Sequence, residues 1–306
     1  MPGELSRRDF VKGSVAGAAL VAGSGALAAA PPAAPKGDAL PKGKIGKLEV
    51  SRILLGGNLL THFTHSRDLR YVYALAAHYN TPAKIRETLE VAEANGINTL
   101  SIHTVPAALK ILQEHRKAGG KMQWIICSTA PINDVNAYGK SIQQLVDMGT
   151  DAVYIWGVHA DGLTGDKVGV LAKAVELVKA TGVLCGVGAH QLAVVQAVEK
   201  ERIPADFYIK TLHHHNYPSA KLGHDSMWCT NPDETRKVME SVEKPWIAFK
   251  VMAAGAIPPQ SAFQYVFEGG ADFSLAGMFD FEIAEDVAIA KRVLAGIKDR
   301  ARPWRG

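Results

Sequence analysis

Trp246-Ile247-Ala248-Phe249 and, earlier in the chain, Trp124-Ile125-Ile126 are short and almost unbroken apolar runs. A strand with one wet face alternates apolar and polar residues. A strand apolar at every position is covered on both faces, as parallel strands beneath helices are. Outward from these two runs the same unit recurs: a short apolar strand, a turn, and a stretch with helical apolar spacing. The pattern predicts strands near 52–55, 97–102, 123–128, 152–158, 183–187, 207–212, 246–251 and 272–277. Helices are predicted near 82–95, 107–118, 137–149, 167–181, 191–201, 232–242, 259–268 and 281–296. Thr81-Pro82 supplies an N-cap and a proline at the first helical position, Asn95-Gly96 closes the same helix, and Asn231-Pro232 opens another. Strand–helix units repeated eight times over about 250 residues predict an α/β fold, a single (β/α)8 barrel over residues 44–306. An open doubly wound sheet is the alternative. It requires a Gly-rich phosphate turn after the first strand, and Gly56-Gly57-Asn58-Leu59-Leu60 does not supply one. Before the first strand, Lys44-Ile45-Gly46-Lys47-Leu48-Glu49-Val50 alternates around a turn glycine and predicts a hairpin capping the bottom of the barrel.

Barrel enzymes work at the C-terminal ends of their strands. Those ends here carry Asn58 with His62 and His65, then His103, Ser128, His159 with Asp161, His190, His213-His214-His215, Lys250 and Asp280. So many imidazoles at one mouth suit acid–base work near neutral pH or a divalent metal such as zinc, iron or manganese. The candidate ligands are His159, His190, His213 and His215, the last two being two residues apart and therefore on one side of an extended chain. The plainer alternative is a set of polar residues on solvated loops. Lys250 ends an otherwise apolar strand, and Lys210 lies inside the sixth. Burial lowers a lysine pKa, the condition for a Schiff-base or general-base amine. The alternative for Lys250 is an ion pair with Asp280. The catalytic set expected from position is therefore His159, Lys250, His103, His190 and Asp280. Gly255 and Gly277 follow the seventh and eighth strands, where barrels often bind the phosphate of a cofactor or substrate. Two long rim loops, Leu59 to Asn80 and Asn216 to Thr230, carry Arg67, Tyr217 and Trp228, which with Asn58 and His62 are expected to bind substrate.

The chain resembles the aldo-keto reductase superfamily of TIM barrels. The likeness rests on the leading hairpin, on Val50-Ser51-Arg52-Ile53-Leu54-Leu55-Gly56-Gly57-Asn58, on Gly96-Ile97-Asn98, on His159, on Phe249-Lys250-Val251-Met252-Ala253-Ala254-Gly255-Ala256-Ile257, and on Gly277-Met278-Phe279. It implies the barrel and, in the family, an Asp, Tyr, Lys and His at the active site with an NAD(P) cofactor. The corresponding positions here are Ser101, Pro106, the strand end Cys127-Ser128-Thr129, and His159. With no tyrosine to protonate a carbonyl, the expectation is that NADPH is not bound tightly.

At the N-terminus, Ser6-Arg7-Arg8-Asp9-Phe10-Val11-Lys12 resembles the twin-arginine export signal. An Ala/Gly-rich run and Ala-x-Ala sites ending at Ala28 or Ala30 follow it, the layout of a removable address. This implies a signal peptide over residues 1–30, passage through the twin-arginine translocase, and work in the periplasm or outside the cell. Pro31, Pro32, Pro35 and Pro41 then suggest a linker over 31–43. A formal net charge of +4 over 306 residues is too slight to argue for nucleic acid, and no long apolar run follows the signal to act as a membrane anchor. Cys127, Cys185 and Cys229 are an odd number with no close spacing and read as neither a disulfide framework nor a zinc knuckle. The sequence therefore favours an exported enzyme with a small polar substrate, a carbohydrate or keto-sugar. The chemistry would be that of a lyase, isomerase or hydrolase run by His and Lys, with or without a metal. A reductase and a non-catalytic periplasmic binding barrel are the alternatives.

Overall fold

The computed structural model describes residues 39–306. The segment expected to be a signal sequence and most of the expected linker lie outside the described residues. The linker is shorter than the composition suggests: Leu40 is already buried, and the first strand begins at Lys42.

Strands β1 (Lys42–Ile45) and β2 (Leu48–Ser51) form the antiparallel hairpin. Ile45, Leu48 and Val50 turn into the same cluster as Leu54, Phe207, Ile247 and Phe273, so the hairpin plugs the barrel from below. Asn98 and Gln123, at the lower ends of two strands, both donate side-chain N–H groups to the Glu49 carbonyl and tie the plug in place.

Above it, β3 (Ile53–Gly56), β4 (Thr99–His103), β5 (Gln123–Ser128), β6 (Ala152–Ile155), β7 (Leu184–Ala189), β8 (Phe207–Thr211), β9 (Trp246–Phe249) and β10 (Phe273–Ala276) pair in parallel and close into one barrel. Successive side chains alternate between the two faces. In β5, Ile125 and Cys127 enter the lumen while Trp124 and Ile126 pack under the helices. Both faces are dry, which is why the strand reads as a continuous apolar run. Complete burial of each such side chain stabilises the fold by about 1.5–3 kcal/mol.

The helices are α1 (Arg70–Tyr79), α2 (Pro82–Ala94), α3 (Pro106–Lys117), α4 (Val135–Asp147), the single turn α5 (Gly157–Ala160), α6 (Val168–Lys179), α7 (Leu192–Lys200), α8 (Pro232–Glu240), α9 (Pro259–Glu268) and α10 (Asp280–Gly296). Thr81 does cap α2, its hydroxyl accepting from the Lys84 N–H at 3.3 Å.

Two elements depart from the sequence expectation. Half of the long Leu59–Asn80 loop is α1. It has no side-chain cap and only Ala76 buried, so it lacks the patterning that marks a helix in a sequence. The fourth strand was expected to reach residue 158 but ends at Ile155, where Gly157 begins the α5 turn. A β-carbon on Gly157 or Gly188 would press on the other's backbone, to 2.8 Å in the case of Gly188, so α5 can sit directly against β7 only because both are glycine. This close approach sets the position of His159 and Asp161 at the rim.

Candidate active site at the barrel mouth

The first landmark of the mouth is Lys250. Its φ of 58° ends β9 at Phe249, two residues earlier than the apolar pattern suggested, and turns the residue out of the strand direction. Lys250 Nζ lies 2.6 Å from His65 Nε2 and 3.7 Å from the centre of the Trp228 ring. His65 Nδ1 in turn lies 2.8 Å from Asp225 Oδ1, and the other Asp225 oxygen accepts from the Ser66 N–H at 3.1 Å. The carboxylate fixes the tautomer: Nδ1 carries the proton, Nε2 carries the lone pair, and the amine donates to it. Asp225, His65 and Lys250 thus form a relay in which a base is oriented by an acid and hydrogen-bonded to an amine.

Electrostatics sharpen this reading. Burial pulls the Lys250 pKa down to about 7, against the opposing pull of Asp225. The Trp228 face favours the ammonium, but the loss of solvent outweighs it. His65 is also lowered, by burial first and then by the charge of Lys250, with Asp225 opposing. Near neutral pH the site therefore holds a substantial fraction of neutral amine beside a neutral imidazole.

A second acid–imidazole pair faces the same tryptophan. His190 Nδ1 lies 2.7 Å from Asp161 Oδ2, and Asp161 Oδ1 accepts from the backbone N–H of His190 and Gln191. The His190 ring packs 5.4 Å from Trp228 and 5.4 Å from Phe249, centre to centre. His103 sits at the upper end of β4, between Phe63 and Trp156. Burial, then the charges of Lys250 and His65, push its pKa down to about 4. It is neutral at physiological pH, and its Nδ1 is buried with no partner. His159 lies on α5 rather than at a strand end, with its ring on Trp156 and its Nδ1 likewise buried and unpartnered. Only burial lowers its pKa; no charge from the Lys250 cluster acts on it.

The remaining candidates have other roles. His213 is buried, and both of its nitrogens are taken. Nδ1 donates to the His214 carbonyl, while Nε2 accepts from the backbone N–H of Trp228 and Cys229 at 3.0 and 2.9 Å. It is the peg that holds Trp228 over Lys250. His215 Nε2 donates to the Cys229 carbonyl at 2.6 Å. The expected ligand set of His159, His190, His213 and His215 is corrected accordingly: two of its members brace a loop, and among the described residues no three His, Cys, Asp or Glu side chains group as a metal site.

Asp280 does not meet Lys250. Its oxygens take the Tyr79 hydroxyl at 2.7 Å and Lys84 Nζ at 3.1 Å, fastening α1 and α2 to the start of α10. Tyr217 is buried and donates its hydroxyl to the Ser226 carbonyl, so it shapes its loop rather than contacting a ligand. His62 donates to the Asn80 carbonyl at 3.1 Å and clips the first rim loop to the end of α1. Asn58 is half-buried at the start of that loop, and its carbonyl accepts from the Phe63 N–H. Lys210 is fully buried, its Nζ donating to the Thr211 carbonyl and hydroxyl. Gly255 has a φ of 76° and follows Ala253 and Ala254, themselves left-handed, in the turn after Lys250. Gly277 is exposed beside Leu59. Neither glycine is engaged in a way that marks a phosphate.

The sequence reading missed the partnership of His65, Asp225 and Lys250. The two rim loops meet there across 160 residues, and only the presence of a histidine in one loop and an aspartate in the other hinted at it. The positions at which the aldo-keto reductases carry Asp, Tyr and Lys hold the buried Ser101, Pro106 opening α3, and the buried Ser128. The hydroxyls of Ser101 and Ser128 are unpartnered and offer no strong acid to a carbonyl, so these residues do not fit that family's hydride-transfer site.

No protein-family model and no curated protein sequence matches the chain. Solved structures do. A putative aldo-keto reductase from Pseudomonas aeruginosa is 17% identical, with 84% of this chain and 97% of that chain covered at a TM-score of 0.57. A glycerol dehydrogenase from Gluconobacter oxydans is 12% identical, with coverage of 84% and 95% and a TM-score of 0.55. A phospho-2-dehydro-3-deoxyheptonate aldolase from Thermotoga maritima is 10% identical, with coverage of 86% and 76% and a TM-score of 0.52. At such identities the likeness is one of fold alone, and the fold is a (β/α)8 barrel.

Proposed function

We propose that the chain is an enzyme acting on a small polar carbonyl compound, a keto-sugar or a derivative of one, through Lys250 as an amine nucleophile in a lyase-type reaction. The observation that carries the reading is the hydrogen bond from Lys250 Nζ to a His65 ring whose far nitrogen is held by Asp225. The neutral amine attacks the carbonyl carbon; the N–C bond forms as the C=O π bond breaks. His65 Nε2 takes a proton from the nitrogen, Asp225 stabilises the resulting imidazolium, and that proton passes to the alkoxide oxygen to give the carbinolamine; a second proton, drawn from solvent through His65, lets the hydroxyl leave as water and leaves the protonated imine. The imine then draws electrons from a neighbouring C–C or C–H bond. His190, whose ring packs on Trp228, and His103, whose pKa the Lys250 charge helps to lower, are the residues we assign to move the proton that this step requires.

The test is borohydride trapping. Incubation with a small ketone and sodium borohydride should leave a reduced adduct on Lys250, located by peptide mass spectrometry. The trapping rate should rise from pH 6 to pH 8 and then level off, because the amine loses its proton through a pKa of about 7. A rate still climbing tenfold per pH unit at pH 9 would show an unperturbed lysine and count against the mechanism.

A second reading, NAD(P)-dependent carbonyl reduction, is favoured by the likeness of the whole barrel to aldo-keto reductases. Saturable NADPH binding at about 10 μM or tighter, roughly −7 kcal/mol, would move the balance toward it.

Export by the twin-arginine route is proposed with this function, on the strength of Arg7-Arg8 and the small-residue sites that follow. Changing both arginines to lysine should strand unprocessed protein in the cytoplasm, as fractionation and immunoblotting would read. Normal periplasmic accumulation of the double variant would refute the assignment.

A further inference from the structure

We infer that Thr211, His213 and His215 are positioning residues for the Lys250 amine: they clamp the backbone of Trp228-Cys229 and so hold the Trp228 ring on it. The inference rests on the Lys250 reading above. All four backbone polar groups of this dipeptide are taken by side chains of one short segment. His213 Nε2 accepts from the N–H of Trp228 at 3.0 Å and from that of Cys229 at 2.9 Å. The Thr211 hydroxyl lies 3.1 Å from the Trp228 carbonyl, and His215 Nε2 donates to the Cys229 carbonyl at 2.6 Å. Loop backbone ordinarily turns to water; here Thr211 and His213, both buried, fix it in one place. A single tautomer satisfies His213. Its Nδ1 donates to the His214 carbonyl, which leaves the Nε2 lone pair for the two N–H groups. Burial lowers its pKa to about 4, so the ring stays an acceptor near neutral pH. Thr211 reaches further. Its oxygen accepts from the buried Lys210 Nζ at 2.8 Å, and its one hydrogen faces two carbonyls, of Trp228 and of His190, each 3.1 Å away. The hydroxyl thus joins the two segments that carry Trp228 and His190.

The clamped dipeptide reaches both the core and the amine. Cys229 is sunk in the hydrophobic core. Beside it the Trp228 ring meets Lys250 Nζ at 3.7 Å, the His65 ring at 4.8 Å and the His190 ring at 5.4 Å. Three residues earlier on the same loop, Asp225 holds His65. The titratable groups around the amine are His65 with Asp225 behind it, His103, whose pKa the Lys250 charge helps to lower, and His190 across the indole. Lys210 and His214 face the clamp itself. Burial is the first cause of the low Lys250 pKa of about 7, and the Trp228 ring is one wall of that burial. With the clamp released, water reaches the amine and its pKa returns toward the ordinary lysine value of about 10.4. The neutral fraction near pH 7, on which attack at a carbonyl depends, falls accordingly.

The test is competitive acetylation of the full chain across pH, with the label on Lys250 read by peptide mass spectrometry. In the unmodified protein the midpoint should lie near pH 7. His213→Leu offers the two N–H groups no acceptor and should raise the midpoint by about one unit or more. Borohydride trapping of a small ketone should then fall about tenfold at pH 6 and change by less than about twofold at pH 9. His213→Gln keeps an acceptor near the place of Nε2 and should hold the original midpoint, whereas a role of the imidazole as acid, base or ligand would be lost in both variants. Trp228→Leu removes the ring but not the clamp. It should raise the midpoint as His213→Leu does, and it decides the matter if His213→Leu does not fold. An unmoved midpoint in Trp228→Leu or in folded His213→Leu, or equal shifts in His213→Leu and His213→Gln, overturns the inference and leaves the lysine reading standing. Acetylation needs no imine, so the two failures separate. If no ketone is trapped but the midpoints move as described, the clamp stands and the imine mechanism falls. A midpoint of about 10 in the unmodified protein, the ordinary lysine value, sinks both.

Discussion

Lys250→Met is expected to abolish the borohydride-trapped adduct and to lower the trapping rate by about a thousandfold or more, since no other amine is placed to replace a lost nucleophile. The fold should not suffer. Methionine has nearly the length of lysine, packs well against an aromatic face, and removes an amine that burial already makes costly to charge. The melting temperature should therefore stay level or rise. A further readout follows from the shared electrostatics. The charge of Lys250 is one of the causes that lower both His65 and His103. In Lys250→Met both imidazoles should titrate at higher pH than in the unmodified protein, a shift that proton NMR of the histidine rings would detect. The other buried lysine, Lys210, lies inside β8 with its amine turned back to Thr211. An adduct that persists in Lys250→Met and maps to Lys210 would move the nucleophile to that strand and sink the assignment.

The barrel was legible in the sequence because its strands are dry on both faces. The Gln123–Ser128 strand and the Pro259–Glu268 helix lie where the pattern put them, the first marked by an apolar run and the second by a proline at its start. The errors have local causes. Ala152–Ile155 looked longer because Trp156-Gly157-Val158 continues the apolar run, and only the close approach of Gly157 to Gly188 forces a turn there. Helix α1 was hidden because Tyr71, Tyr73 and Leu75 are exposed, so its apolar residues mark no buried stripe. Half of the site was legible for the same positional reason as the fold: His103, His190 and Lys250 all end barrel strands or follow them directly. The other half depends on which rim loops touch. His213 was expected to be a ligand, but its nitrogens are taken by backbone groups, and whether an imidazole nitrogen is free or pegged to a backbone N–H is decided by a loop sixteen residues further on. No local pattern encodes that.

The largest effect on stability is expected far from the mouth, at Asp272. This carboxylate is fully buried where the chain enters β10. Its Oδ2 accepts from Arg302 Nη1 at 2.9 Å and from the Trp246 N–H at 2.9 Å, while Oδ1 accepts from the Arg305 N–H at 2.7 Å. Arg302 is itself 0% exposed at its side chain, and its other N–H groups reach the carbonyls of Gly270, Val242 and Lys244. Gly270 makes room for it, since a β-carbon there would come within 2.7 Å of Arg302 Cγ. The C-terminal tail is thus closed over the barrel around a buried carboxylate, which pairs closely with Arg302 and, at 4.0 Å, with Arg300. Replacing a buried pair with apolar groups can be neutral, but deleting one partner strands the other charge. Asp272→Ala leaves the Arg302 cation without its anion and the Trp246 and Arg305 N–H groups without an acceptor. The expected cost is about 3–5 kcal/mol, or roughly 10 °C in melting temperature for a domain of this size. The double variant Asp272→Ala/Arg302→Met should recover part of that loss, because it removes the stranded charge as well. Imine trapping by folded protein at low temperature should persist in both, as Asp272 lies at the opposite end of the strands from Lys250. A melting temperature that falls by less than about 3 °C in Asp272→Ala, or a double variant less stable than the single, would show that the tail is held by its packing and not by this pair.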